Sequence, residues 1–218
     1  NYKENKLNNI NFCTGLYNNF YYFLSNVFYS DKSQTNKIKS INDIVNFYEL
    51  NKRHYIIGTE STTSLSFIGL YIVLNIYNLK LVDLKSKKED IIYDDNVVFY
   101  YIDNIEFLTK KIIKNELDGI FLVRTFKDKH IKFIADNKEI IFLNMDFKNT
   151  IFDSLFSNYF IKKEIDTTYF NDDDIVNTSF ETRSNRVILV SNNYDNEKIV
   201  EKLVKIYYEN IDKLIFDL

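Results

Sequence analysis

The chain has 218 residues, a net charge of −3 from 28 basic and 31 acidic side chains, 45% hydrophobic content and 17% aromatics. It holds four Gly and no Pro or Trp, where average usage is about 7% Gly and 5% Pro. This much apolar material excludes a disordered chain. The composition also excludes collagen and flexible linkers, and the interspersed charge excludes a global basic field for nucleic acid.

The depleted residues have GC-rich codons, so the bias reads first as genome composition. The length fits one domain or two small lobes and suffices for a sizeable core. Cys13 has no second cysteine to pair with and reads as a small buried hydrophobe. His54 and His130 are the two histidines, too few with one cysteine for an ordinary zinc cluster. The sequence therefore implies no metal and no cofactor. The longest apolar run, Phe67 to Leu74, is far short of the about 20 residues a membrane helix needs. The segment Asn1 to Lys6 lacks the apolar core of a signal peptide.

In chain order, Asn9 to Cys13 reads as a short strand, followed by a Thr14-Gly15 turn and an aromatic helical run, Phe20 to Tyr29. Residues 30–40 are polar and aperiodic, the best linker candidate. Helical spacing at Ile41, Ile44, Val45 and Tyr48 predicts a helix from Ile41 to Leu50. Tyr55 to Gly58 is a compact strand, and Leu65 to Leu79 is a helix apolar nearly all round, hence expected to be buried. Val97 to Tyr101, Gly119 to Val123, Ile140 to Leu143 and Arg186 to Ser191 read as strands. Helices are expected at Ile105 to Asn115, Ile131 to Ala135, Phe147 to Tyr159 and Glu197 to Leu214. The last is amphipathic, with Ile199, Leu203, Ile206, Tyr207 and Leu214 on one face. Ile165 to Tyr169 reads as extended, and Asn171 to Asp174 as a solvated acidic loop. Strands alternating with helices of about 10 to 15 residues argue for an α/β fold with mainly parallel sheets.

The strongest chemical signal is the hydroxyl-rich loop between the strand at Tyr55 and the helix at Leu65. A helix N-terminus presents unpaired N–H groups and partial positive charge. With Ser61, Thr62 and Thr63 beside it, this is a seat for a carboxylate or phosphate. Plain helix capping by the same hydroxyls is the alternative. Arg124 follows a strand at the end where parallel-sheet ligands bind and could clamp a carboxylate in its fork; a surface salt bridge is the other reading. Tyr21 and Tyr22 either wall a pocket or fill the core. Arg183 and Arg186 flank the last strand with the same ambiguity. No Gly-x-Ser-x-Gly elbow supports a hydrolase.

These motifs stand in an order that resembles the TAXI family, the extracytoplasmic solute-binding proteins associated with tripartite TRAP transporters. The resemblance is carried by Thr14-Gly15 with Tyr21-Tyr22, by Ser40-Ile41-Asn42-Asp43-Ile44 with Lys52-Arg53, and by Ser61-Thr62-Thr63. It continues through Glu116-Leu117-Asp118-Gly119-Ile120, Ile165-Asp166-Thr167-Thr168-Tyr169, Arg186-Val187-Ile188-Leu189-Val190 and Tyr208-Glu209-Asn210-Ile211-Asp212. It implies a two-lobed α/β fold of the type II periplasmic-binding-protein kind. One lobe would comprise residues 1–40 and 166–218, and the other residues 41–165. A stretch of the first lobe that the family has between Tyr29 and Ser40 is not found here, so that lobe looks reduced.

The resemblance implies a periplasmic, monomeric, non-enzymatic protein without catalytic residues. It would capture a small carboxylate or amino acid, glutamate-like, and hand it to the membrane subunits of a TRAP transporter. Its ligand-site candidates are Tyr21, Tyr22, Ser61, Thr62 and Thr63, to which electrostatics adds Arg124. The competing expectation is a reduced descendant that no longer binds solute and acts as an interaction or structural component.

Overall fold

The computed structural model describes residues 10–26, 38–86, 96–137, 139–145, 160–170, 179–192 and 197–209. The strands are β1 (Ile10–Asn26), β2 (Tyr55–Thr59), β3 (Lys80–Asp83), β4 (Val97–Ile102), β5 (Gly119–Thr125), β6 (Ile140–Phe142), β7 (Ile161–Asp166) and β8 (Ser179–Asn192). The α-helices are α1 (Ile41–Val45), α2 (Phe47–Asn51), α3 (Leu65–Ile76), α4 (Ile105–Ile113), α5 (Lys129–Ala135) and α6 (Glu197–Glu209). All eight strands join one sheet of order β3-β4-β2-β5-β1-β8-β7, with β6 paired to β1.

The sheet has two halves. β3, β4, β2 and β5 run parallel, as expected of short apolar strands covered on both faces. β1 then enters antiparallel to β5, with Tyr21 opposite Val123 and Phe23 opposite Phe121. β8 and β7 continue antiparallel. Strands from both expected lobes thus lie in one sheet, joined along β1.

β1 corrects the expected helix at Phe20 to Tyr29. Residues through Asn26 are strand, and 27–29 lie outside the described residues. A continuous run of Tyr, Phe and Leu has no period that separates a buried helix from a strand buried on both faces, and these aromatics favour strands. Alternation sends Tyr21 and Phe23 into one core, and Tyr22 and Leu24 into the other. The first core holds Ile41, Ile44 and Phe47 from α1 and α2, with Leu70, Val73 and Leu74 from α3. The second holds Leu108 and Ile112 from α4, with Ile131 and Ile134 from α5. The result is helix, sheet and helix in three layers.

The strand readings at Tyr55, Val97, Gly119, Ile140 and Arg186 hold, as do the helices at Ile105 and Ile131. The helix expected from Ile41 to Leu50 is broken at Asn46, whose ψ of 5° leaves the helical region between α1 and α2. The extended reading of Ile165 to Tyr169 ends at Asp166, after which Thr167–Tyr169 form a 3-10 turn capped by Asp166. The expected helix at Phe147 to Tyr159, the acidic loop and the linker up to residue 37 lie outside the described residues, as do residues 210–214 of the helix expected from Glu197 to Leu214.

α3 is capped by Ser64, whose side chain accepts from the Phe67 N–H at 3.1 Å. The helix is buried on one side only, a correction to the reading from its apolar surround. Leu65, Ile68 and Tyr71 are about half exposed. Gly69 lets α3 sit close on the sheet: a Cβ there would meet Tyr21 Cε1 at 2.6 Å.

β1 and β8 extend past the rest of the sheet. β5 pairs β1 only from Asn19 to Ser25, whereas β8 follows β1 back to Ile10. Ile10–Asn18 and Arg186–Asn192 therefore form a two-stranded ribbon, irregular at Phe12/Thr14 and Gly15/Tyr17, and α6 approaches it.

Candidate functional site

The carboxyl ends of β2 and β5 bring the chemistry together. The two strands pair only at Ile57–Gly119 and Gly58–Ile120 and then separate. Ser66, in the first turn of α3, fills the opening. Its Oγ accepts from the Val123 N–H at 3.0 Å and donates to Glu60 Oε2 at 2.7 Å. The other Glu60 oxygen forms an ion pair with Arg124. Arg124 also faces Asp128 Oδ2 at 3.6 Å, and Asp128 caps α5 through the His130 and Ile131 N–H groups at 2.8 and 3.3 Å. His130 Nδ1 lies 3.4 Å from Asp128 Oδ1.

Arg124 is therefore no isolated anion clamp. Two carboxylates flank its guanidinium, and it ties the loop after β2 to the end of β5. Within the Glu60–Arg124–Asp128 cluster two carboxylates share one guanidinium.

Ser61, Thr62 and Thr63 are exposed on the adjoining loop. Ser61 Oγ and Thr63 Oγ1 are 2.9 Å apart, the Thr63 N–H donates to Ser61 Oγ at 3.3 Å, and the Ser64 N–H donates to Ser61 O at 2.8 Å. The loop is thus folded on itself, with its hydroxyls at the surface next to the first turn of α3.

The two tyrosines sit beneath this edge and do not wall a cleft. Tyr21 packs edge-on against Phe121 and Phe160, with ring centroids 6.1 and 5.5 Å away, and burial pushes its hydroxyl up to about 12. Tyr22 has no exposed surface. Its hydroxyl donates toward the carbonyls of Thr125 and Phe126 at 3.4 and 3.3 Å. Burial first, and the Asp128 charge second, hold its ionisation far above the usual tyrosine range. Of the sequence candidates, the structure brings Ser61, Thr62, Thr63 and Arg124 to one sheet edge, with the Tyr22 hydroxyl below it, and places Tyr21 in the core under α3.

Glu60, Ser66, Asp128 and His130 were not anticipated. Asp128 carries a readable signal as an acidic residue just before a helix. Among the described residues, no group of three or more His, Cys, Asp or Glu is arranged to hold a metal ion, and no helix is long and apolar enough to cross a membrane.

No family model and no curated protein matches the chain. Among solved structures, a mutant of ArgBP from T. maritima is similar with a TM-score of 0.42 at 10% identity, covering 99% of this chain and 62% of that one. The amino acid ABC transporter substrate-binding protein AbpA from Streptococcus pneumoniae, bound to L-arginine, has a TM-score of 0.40 at 12% identity, covering 99% and 63%. The AvGluR1 ligand binding domain in complex with glutamate has a TM-score of 0.40 at 9% identity, covering 93% and 57%. The chain spans about three-fifths of the length of these proteins.

Proposed function

We propose that this chain binds a small carboxylate-bearing solute, an amino acid, at the carboxyl edge of β2 and β5. It would serve as the extracytoplasmic binding component of a TRAP-type transporter, as its resemblance to the TAXI family implies. The supporting observation is the juxtaposition of the Ser61–Ser64 loop and α3 N-terminus with the Glu60–Arg124–Asp128 cluster. The carboxylate would take the loop hydroxyls and the N–H groups of the first turn. An ammonium group would face Glu60 and Asp128. The two carboxylates of the cluster disfavour a second negative charge on the ligand, so zwitterions should bind better than dicarboxylates. Capture is non-covalent. The division into residues 1–40 with 166–218 and residues 41–165 remains part of this proposal, with β1 as the seam between them.

Calorimetry against neutral amino acids and dicarboxylates tests the reading. Binding of the former at millimolar or lower concentration supports it; silence from a folded protein against the whole panel contradicts it.

A second reading is an interaction or structural component. It is favoured by the exposed Leu65, Ile68 and Tyr71 on α3 and by Ile199, Leu203 and Ile206 on α6, since contiguous exposed apolar side chains mark association surfaces. Light scattering separates the two: a monomer supports solute capture, and stable self-association supports this alternative.

A further inference from the structure

A cavity of about 260 Å³ lies at the base of the β1/β8 ribbon, lined by Gly15, Leu16, Tyr17, Asn18, Arg186 and Tyr208. The irregular register between Gly15 and Tyr17 opens the ribbon there, and α6 supplies Tyr208. Asn18 and Arg186 are directly opposite in register, so both side chains project from the same face. Arg186 lies across Gly15: a Cβ at Gly15 would meet Arg186 Cδ at 2.8 Å. This close approach requires glycine or a displaced arginine.

One buried polar atom here lacks a partner, and an exposed guanidinium stands beside it. Asn18 Oδ1 is buried without a donor, and a buried acceptor left unpaired costs about 1–3 kcal/mol. Among the described residues, Arg186 has no ion-pair partner, whereas Arg53 pairs with Asp118 and Arg124 with Glu60. A buried acceptor without a donor thus stands beside an exposed guanidinium that is open to an anion, in a cavity of small-ligand size. Tyr17 and Tyr208, both partly exposed, flank the mouth.

We propose that this cavity is a binding site for a small carboxylic acid carrying a hydroxyl or amine next to the carboxylate. Arg186 takes the carboxylate in its fork, and Asn18 Oδ1 accepts from the neighbouring hydroxyl or amine. The site is separate from the edge at Ser61–Thr63 and does not depend on it.

The test is a titration of ¹⁵N-labelled full chain with L-lactate, L-alanine and acetate, followed by amide shifts. The expected result is saturable shifts at Gly15 to Asn18 and Arg186 with lactate, alanine or both, and at least tenfold weaker binding of acetate. Arg186→Gln should weaken binding at least tenfold with unchanged circular dichroism, and Arg186→Lys should restore part of it. Asn18→Leu should erase the preference over acetate. The proposal is overturned by the absence of saturable shifts at Gly15 to Asn18, by an equal response in Arg186→Gln, or by shifts confined to Ser61–Ser66. The last result would instead place the ligand at the β2/β5 edge.

Discussion

Glu60 and Arg124 form an ion pair across the point where β2 and β5 separate, and Ser66 locks the same carboxylate from α3. Three elements meet in one carboxylate. Removing the guanidinium takes the cationic partner away from both Glu60 and Asp128. Arg124→Gln should lower stability by about 1–2 kcal/mol, the scale of a lost hydrogen bond to a charged group, tempered by partial exposure. Urea denaturation reads this directly. Glu60→Gln should cost less, because the amide oxygen still accepts from Ser66.

Packing between α3 and the sheet gives a second prediction. Gly69→Ala gains helix propensity of up to about 1 kcal/mol, but the new methyl would press on the rings of Tyr21 and Phe121. Overpacking of a filled core costs about 1–3 kcal/mol. The net result should be a loss on the order of 1 kcal/mol in urea denaturation. A stabilised variant would show that α3 rides higher on the sheet than described.

The buried tyrosines predict an alkaline transition. Tyr21 ionises at about 12 in the folded chain, and Tyr22 is shifted up further, against about 10 when unfolded. Above pH 10 the unfolded state releases protons that the folded state retains, so stability is full below pH 10 and falls as pH rises. The slope is about 1.4 kcal/mol per pH unit for each group. Tyrosinate absorbance should appear in two phases, exposed tyrosines near pH 10 and the buried pair with unfolding. The Tyr21→Phe, Tyr22→Phe double variant should flatten the slope above pH 10.

Arg53 grips Asp118 through two parallel contacts of 2.7 Å, and Asp118 also accepts from the Ile56 N–H at 2.8 Å. This pins the loop before β5 to the start of β2. Arg53 is 40% exposed, so its charge contributes little. The hydrogen bond to Ile56 matters more. Asp118→Ala should therefore cost more than Arg53→Ala, by about 1 kcal/mol, as urea midpoints would show.

Much of the parallel half was legible in the sequence. YIIG, VVFYY and GIFLV are short apolar runs, and Ile105 to Ile113 keeps helical spacing with lysines on its wet side. β1 was not legible, because FYYFL is buried on both faces and carries no alternation. Lys80–Asp83 escaped notice because its four residues begin and end with a charge. The first half of β8, Ser179 to Asn185, is too polar to announce a strand. Its Thr182 and Ser184 are buried, and Thr182 hydrogen-bonds the Tyr21 carbonyl. At the candidate site, Ser61, Thr62, Thr63 and Arg124 could be found from their positions after strands. The Glu60–Arg124 pair could not, since its members are far apart in sequence and meet only through β2 and β5.

Binding of a small solute at the β2/β5 edge, as proposed, is open to direct measurement. Its most direct test is a titration of ¹⁵N-labelled protein with L-glutamate and neutral amino acids, comparing wild type with a Ser61→Ala, Thr63→Ala double variant. Binding there should give saturable amide shifts over Ser61 to Ser66 and Arg124 to Asp128, stronger for neutral amino acids and weakened at least tenfold in the variant. A folded protein whose amides in those segments stay unmoved at millimolar ligand would contradict it.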